Sequence, residues 1–196
     1  MSRILASITQ KIEHLASEMK IVYKFAEKYY VNIVKKEVAL ADITKDDHIL
    51  CIGGGICPFS AILFHQMTGA KVTVIDNNEK CVCRAIKVIE SFGLSEHIRV
   101  FSQDGCSSDI LYTDYSVVHL ALQVYPINRV FSCVESGITP GTKLLVRQPR
   151  DHTKDAYSKF SDNILMYCSC TKHNSRNVAN TFLYIKQEDA VLNHIS

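Results

Sequence analysis

The sequence predicts an α/β fold: a mostly parallel, seven-stranded sheet with helices, closed by a C-terminal antiparallel hairpin and preceded by a helical extension. Three observations carry that prediction. Apolar segments of strand length and helix length alternate from residue 48 to residue 148. The first of these strands runs straight into three glycines, Gly53-Gly54-Gly55, and the second ends in a carboxylate, Asp76. The last two strand candidates are separated by a polar loop with no helix-length segment, so they are expected to pair antiparallel.

The elements follow in chain order. Residues 3–42 carry helical periodicity: Ile4, Ile8, Ile12 and Leu15 fall on one stripe, and Ile21, Val22, Phe25, Ala26 and Tyr29 continue it. Two or three helices are expected, with Asp42 to Asp47 as a polar turn into the first strand. This helical segment, 1–47, serves either as a lid on a sheet edge or as a wall of an acceptor pocket; the α/β domain is 48–196. Strand one is 48–53, and a helix over 58–68 follows with Phe59, Ile62, Leu63 and Met67 as its apolar residues. Strand two is 71–76. The next helix, Glu79 to Phe92, stops at Gly93, a residue suited to a C-terminal cap. Strand three is 98–103, ending at Asp104-Gly105; strand four is 116–122, and Pro126 to Gly137 forms a helix. The turn Thr139-Pro140-Gly141 leads into strand five, 143–148. The hairpin strands are Asn163 to Cys168 and Thr181 to Lys186, with Thr171 to Asn177 in the polar loop.

Composition narrows the function. At 196 residues the chain can bury a real core, and 47% hydrophobic with 21% charged residues is ordinary for a globular protein. Twenty-two basic against 20 acidic residues leave a net charge of +2, too weak a field for a dedicated nucleic-acid binder. No apolar run reaches the ~18 residues a membrane helix needs. Met1 to Lys11 is amphipathic and lacks the apolar centre of a signal peptide, so a cytoplasmic protein is expected. The eight cysteines include no Cys-x-x-Cys pair and most lie in apolar segments, which predicts reduced structural thiols and no metal site. Cys168 and Cys170 would share one face of a strand, whereas Cys81 and Cys83 on a helix would point apart.

Three features fall where a nucleoside needs them, at the carboxyl ends of adjacent strands. Gly53, Gly54 and Gly55 form the turn after strand one, where backbone can approach a ligand closely. Asp76, followed by Asn77, can accept ribose hydroxyls. Asp104, Gly105 and their backbone can bind an adenine amino group, and Ala121 closes strand four beside them. A dinucleotide site wants a third glycine at the sixth position, so that a pyrophosphate can rest on a helix N-terminus; here that position is Pro58, which has no N–H to donate. S-adenosyl-L-methionine carries no phosphate and needs no such donor. Five parallel strands closed by a hairpin are also the layout of the Rossmann-like class I S-adenosylmethionine-dependent methyltransferase fold.

The run Ile52-Gly53-Gly54-Gly55-Ile56-Cys57-Pro58-Phe59-Ser60-Ala61-Ile62 resembles the glycine–proline signature of the nicotianamine synthase family. Tyr29-Tyr30-Val31-Asn32 is similar to a Tyr-Tyr-x-Asn segment of that family, as are Pro126 to Phe131 and Asn174 to Phe182 to its later segments. The resemblance spans residues 29 to 186. It implies a class I fold that uses S-adenosylmethionine but transfers its aminobutyrate group, rather than its methyl, to an amine. Those enzymes draw a catalytic glutamate from a larger helical domain upstream of the paired tyrosines. The upstream acids here are Glu13 and Glu18; Glu37, on the other side of the tyrosines, is an alternative acid whose simpler reading is a solvated helix position.

Methyl and aminobutyrate transfer differ in which carbon beside the sulfonium meets the nucleophile. Either needs proximity, in-line orientation, and a base if an amine arrives protonated. The candidate catalytic residues are Tyr30, Tyr29, Tyr125 and Glu37, with one of the paired tyrosines belonging to the core. Gln123 and Arg147 are the candidate substrate contacts, Arg147 and Arg150 being able to pair with carboxylates or simply to keep the surface soluble. The residues after strand four, Gln123, Tyr125 and Pro126, lack the Asp/Asn-Pro-Pro-aromatic motif of base-amino methyltransferases. A small-molecule acceptor, an amine or amino acid, is therefore expected. Methyl transfer proper and a non-catalytic cofactor- or partner-binding module stay open, as does a homodimer.

Overall fold

The computed structural model describes residues 29–153, 157 and 169–188. The predicted helices over 3–28, Glu13, Glu18 and the strand candidate Asn163 to Cys168 lie outside the described residues. A helix over 29–41, here α1, leads through a polar turn to the sheet. Seven strands and three further helices follow: β1 His48–Ile52, α2 Phe59–Thr68, β2 Lys71–Asp76, α3 Glu79–Ser91, β3 Ile98–Ser102, β4 Val117–Leu120, α4 Ile127–Gly137, β5 Lys143–Pro149, β6 Ser169–Lys172 and β7 Val178–Ile185. The sheet order is β3-β2-β1-β4-β5-β7-β6. The first five strands are parallel; β7 runs antiparallel to both β5 and β6.

The strand and helix boundaries from sequence hold to within a few residues through β5. The hairpin is antiparallel as expected. Its first described strand is Ser169–Lys172, reaching into the stretch assigned to the polar loop, and its second begins at Val178 rather than Thr181. The reason is position: β6 is a short edge strand with mostly exposed side chains, so no apolar run marks it.

Local chemistry explains the helix ends. Asn78 caps α3, its side-chain oxygen accepting from the backbone N–H of Lys80 and Cys81, and Gly93 follows the helix at φ +67. Pro58 sits at the start of α2, with its carbonyl accepting from Ile62, and Gly69 at φ +77 closes the helix onto the carbonyl of His65. β1, β4 and β5 are buried on both faces, as the centre of a parallel sheet must be. One core layer packs Val34, Ala41 and Ile43 with α2 and α3 against Ile49, Val72 and Leu145; the other packs α4 against Leu50, Val118, Leu120 and Leu144. No helix among the described residues is long and apolar enough to cross a membrane.

Candidate functional site

The strand order reverses between β1 and β4, and in open α/β sheets ligands bind in the crevice at that reversal, beyond the carboxyl ends of the strands. The glycine turn sits there. Gly53, at φ +85, donates its N–H to the carbonyl of Ile75 at 2.9 Å. A Cβ on Gly54 would lie 2.2 Å from the Val74 side chain, so the turn packs this closely on Val74 only because the position is glycine. Gly55 donates to Asp76 Oδ2 at 2.7 Å, and Asn78 donates to Asp76 Oδ1 at 2.9 Å. Asp76 therefore ties the turn to the start of α3. At the next strand end, Cys106 donates to Asp104 Oδ1 at 2.7 Å, while the Tyr112 hydroxyl donates to the carbonyl of Gly105.

Gly53, Gly55, Asp76, Asn77, Asp104, Gly105, Gln123 and Tyr125 are brought together along one open cleft of about 450 Å³. That volume lies in the range of small-molecule sites, about 300–1,000 Å³. Tyr125 stands at its rim, 78% exposed. A Cβ on Gly55 would meet only the Gln123 side chain, at 3.8 Å, so this surface of the turn is open to a ligand.

A second, smaller cavity of about 40 Å³ lies on the other side of the turn. It shares Ile52, Gly53 and Gln123 with the cleft and adds Tyr30, Cys51, Gly54, Pro58, Ser60, Ala121, His119 and Arg147. Two expectations are corrected here. Glu37 is not solvated but 0% exposed, and Arg147 is no surface residue but 4% exposed. Arg147 donates from Nε to Glu37 Oε1 at 2.8 Å and from Nη2 to Oε2 at 2.7 Å, a bidentate pair. Its Nη1 reaches Ser60 Oγ at 2.9 Å, and its guanidinium carbon stands 5.6 Å from the centre of the Tyr30 ring. Thr181 Oγ1 donates to Glu37 Oε1 at 2.7 Å, so the hydroxyl's lone pairs face His173 Nε2, 2.8 Å away, which must carry the proton. Burial alone would raise the Glu37 carboxyl, but the Arg147 charge and hydrogen bonds hold it well below the usual range.

The paired tyrosines part company. Tyr29 turns to the β6–β7 loop, where its hydroxyl accepts from the N–H of Asn177 and donates to Ser175 Oγ, whose own proton goes to Val178. Tyr30 faces the cavity, stacked on Phe59 with ring centres 6.0 Å apart. Burial raises the Tyr30 hydroxyl above its ordinary range against the pull of Arg147, so it stays protonated. Arg150 is spent on the carbonyls of Ser175 and His173.

Sequence reasoning missed His119, Ser60, Cys51 and Thr181 around this cavity. The signal was there: His119, Arg147 and Thr181 are polar residues at buried positions of largely apolar strands, and such residues need a buried partner. The cysteine reading also needs one correction. Cys106, on the loop after β3, and Cys133, on α4, form a disulfide, with Cα atoms 5.3 Å apart. They are 27 residues apart and meet only because α4 packs beside that loop. Among the described residues no group of three or more His, Cys, Asp or Glu is arranged to hold a metal ion.

This strand order, with its antiparallel β7 and its ligand-sized cleft at the reversal, is that of the class I S-adenosylmethionine-dependent methyltransferase fold, and solved structures bear it out. A mutant of the nicotianamine synthase MtNAS, crystallised with S-adenosylmethionine, superposes with a TM-score of 0.73 at 22% identity, covering 94% of this chain and 76% of that one. An RNA methyltransferase from Salinibacter ruber in complex with S-adenosyl-L-homocysteine superposes at 0.60 with 16% identity, covering 81% of this chain and 92% of that one. No protein-family model and no curated protein matches the sequence.

Proposed function

We propose that this chain is an S-adenosylmethionine-dependent transferase that moves a group to the amine of a small molecule, an amine or amino acid. One observation carries the reading. An open, nucleoside-sized cleft and a polar cavity meet at Ile52, Gly53 and Gln123, so a donor and an acceptor can be held on either side of one rigid turn. The neighbours crystallised with S-adenosylmethionine and S-adenosylhomocysteine support the choice of donor.

The residues present fit that donor. Asp76 has one backbone N–H on each oxygen, which leaves lone pairs for two ribose hydroxyls. Asp104 and the backbone of Gly105 suit an adenine amino group, with Asn77 and Tyr125 at the rim. Gly53 to Gly55, with Pro58 and Ala121 behind them, leave room for the methionine end. When bound, S-adenosylmethionine supplies an electrophilic carbon beside its sulfonium. Tyr30, kept protonated and backed by Arg147, orients the acceptor from the far wall. Glu37 holds Arg147 in place rather than acting as an acid.

We favour aminobutyrate transfer, because the acceptor cavity opens beneath Gly53 and Gly54, on the side where the methionine end would lie, and because MtNAS superposes well over 94% of this chain. Incubation with S-adenosylmethionine and a panel of primary amines and amino acids, read by mass spectrometry, tests this. Methylthioadenosine as by-product is the expected result. S-adenosylhomocysteine instead means methyl transfer, and no by-product with any acceptor overturns the enzyme reading.

A further inference from the structure

His119 occupies an unusual position. It is 1% exposed on β4, the central strand beside β1, and neither ring nitrogen has a hydrogen-bond partner among the described residues. Leaving such a group unpaired costs about 1–3 kcal/mol, so an unpartnered imidazole here calls for a ligand. The ring helps wall the cavity beneath Gly53 and Gly54, whose 40 Å³ exceeds the roughly 10–15 Å³ that one water needs. Its Nε2 lies 3.8 Å from Glu37 Oε1, beyond hydrogen-bond reach, and Glu37 is already engaged by Arg147 and Thr181.

The neighbouring groups from every packed element leave His119 a distinct task. From α1 come the Glu37 carboxylate and the protonated Tyr30; from β5, the Arg147 cation. β1 contributes Cys51, whose thiol burial pushes up to about 12, and α2 contributes Ser60 and the Phe64 ring, whose centre lies 5.3 Å from that of His119. Burial and Arg147 both hold His119 below the usual imidazole range, so it is neutral. Glu37 is tied up, Tyr30 and Cys51 keep their protons, and Arg147 has no lone pair. Of the titratable groups here, His119 alone offers a free lone pair at neutral pH.

We propose that His119 is the general base that receives the acceptor: the amine end of the substrate enters this cavity and passes a proton to the imidazole. The inference rests on the transferase reading above and names the group that reading lacks. The step is a proton transfer, R–NH3+ plus neutral imidazole giving R–NH2 plus imidazolium. The N–H pair stays on nitrogen as the nucleophilic lone pair, and the proton sits on the ring. The Glu37 carboxylate 3.8 Å away favours the imidazolium, whereas burial and the Arg147 charge oppose a cation on the ring and on the amine alike. The small volume suits the nitrogen end of a primary amine.

The test uses the whole chain saturated with S-adenosylmethionine, with histidine isotope-labelled at ring Cε1, titrated with ethylamine at neutral pH. The His119 signal is assigned by its loss in His119→Asn, or in His119→Gln should the first variant fold poorly. The expected result is a saturable shift of the His119 resonance while those of His65 and His97, which do not line the cavity, stay put. In turnover with the best acceptor of the panel, His119→Asn is expected to keep the parental affinity for S-adenosylmethionine and to lose about 100-fold or more in kcat. A parent that binds S-adenosylmethionine normally while its His119 resonance ignores ethylamine overturns this assignment alone, as does unimpaired kcat in the variant. A parent that binds no S-adenosylmethionine overturns the transferase reading and this assignment with it.

Discussion

The cleft beyond Asp76 and the cavity beneath Gly53 share one turn but are built by opposite means. The cleft is shaped by backbone: three glycines, strand ends, and carboxylates that accept from N–H groups one or two residues away or across one strand. The cavity is walled by side chains from α1, β1, α2, β4 and β5, held by a buried ion pair whose partners are 110 residues apart. Backbone-built sites tolerate changes around them and fail when the turn changes. Side-chain-built sites fail when any one member is lost, because the remaining polar groups stay buried without partners.

That difference sets the order of expected effects. Glu37→Ala leaves Arg147 buried and uncompensated and should cost about 3–5 kcal/mol of stability, measured by urea unfolding. A loss below about 1 kcal/mol would mean that the pair does not hold α1 on the sheet. Gly54→Ala places a methyl group 2.2 Å from the Val74 side chain, so the turn or Val74 must shift, at a cost of about 1–3 kcal/mol; a neutral substitution would break the claim that close packing of the turn shapes the cleft.

Acidification should weaken the fold through the histidines. Burial is the main cause holding His48, His119 and His173 below the ordinary imidazole range. The unfolded chain therefore binds more protons than the folded one as pH falls through that range, and linkage makes stability rise with pH there. Melting temperature should climb from mildly acidic to neutral pH, and a flat profile would contradict the burial of these histidines. The smallest effect belongs to the rim: Tyr125→Ala, at a side chain 78% exposed, should change stability by no more than about 0.5 kcal/mol.

The same contrast explains what the sequence made legible. Gly53 to Gly55 and Asp76 lie in one strand–helix–strand unit, so their spacing alone places them at adjacent strand ends, and the five parallel strands were readable from apolar runs. Glu37, His119, Arg147 and Thr181 meet only after four crossovers and a hairpin, and no local pattern links them. Arg147 could be read as a substrate contact or as a surface residue, because its burial depends on a carboxylate far away in the chain. Tyr29 and Tyr30 were indistinguishable in sequence, since the loop that takes Tyr29 comes from the far end of the fold. Ser169–Lys172 carries no apolar run to mark it as strand, because most of its side chains are exposed.

Binding of S-adenosylmethionine, followed by titration calorimetry on the parent and on Asp76→Ala, tests the central claim most directly. Asp76 offers two charged acceptors to the ribose, worth about 1.5–3 kcal/mol each, so the substitution should weaken affinity by about 100-fold or more. A parent that binds the cofactor and an Asp76→Ala variant that does so equally well would contradict the placement of the nucleoside in this cleft.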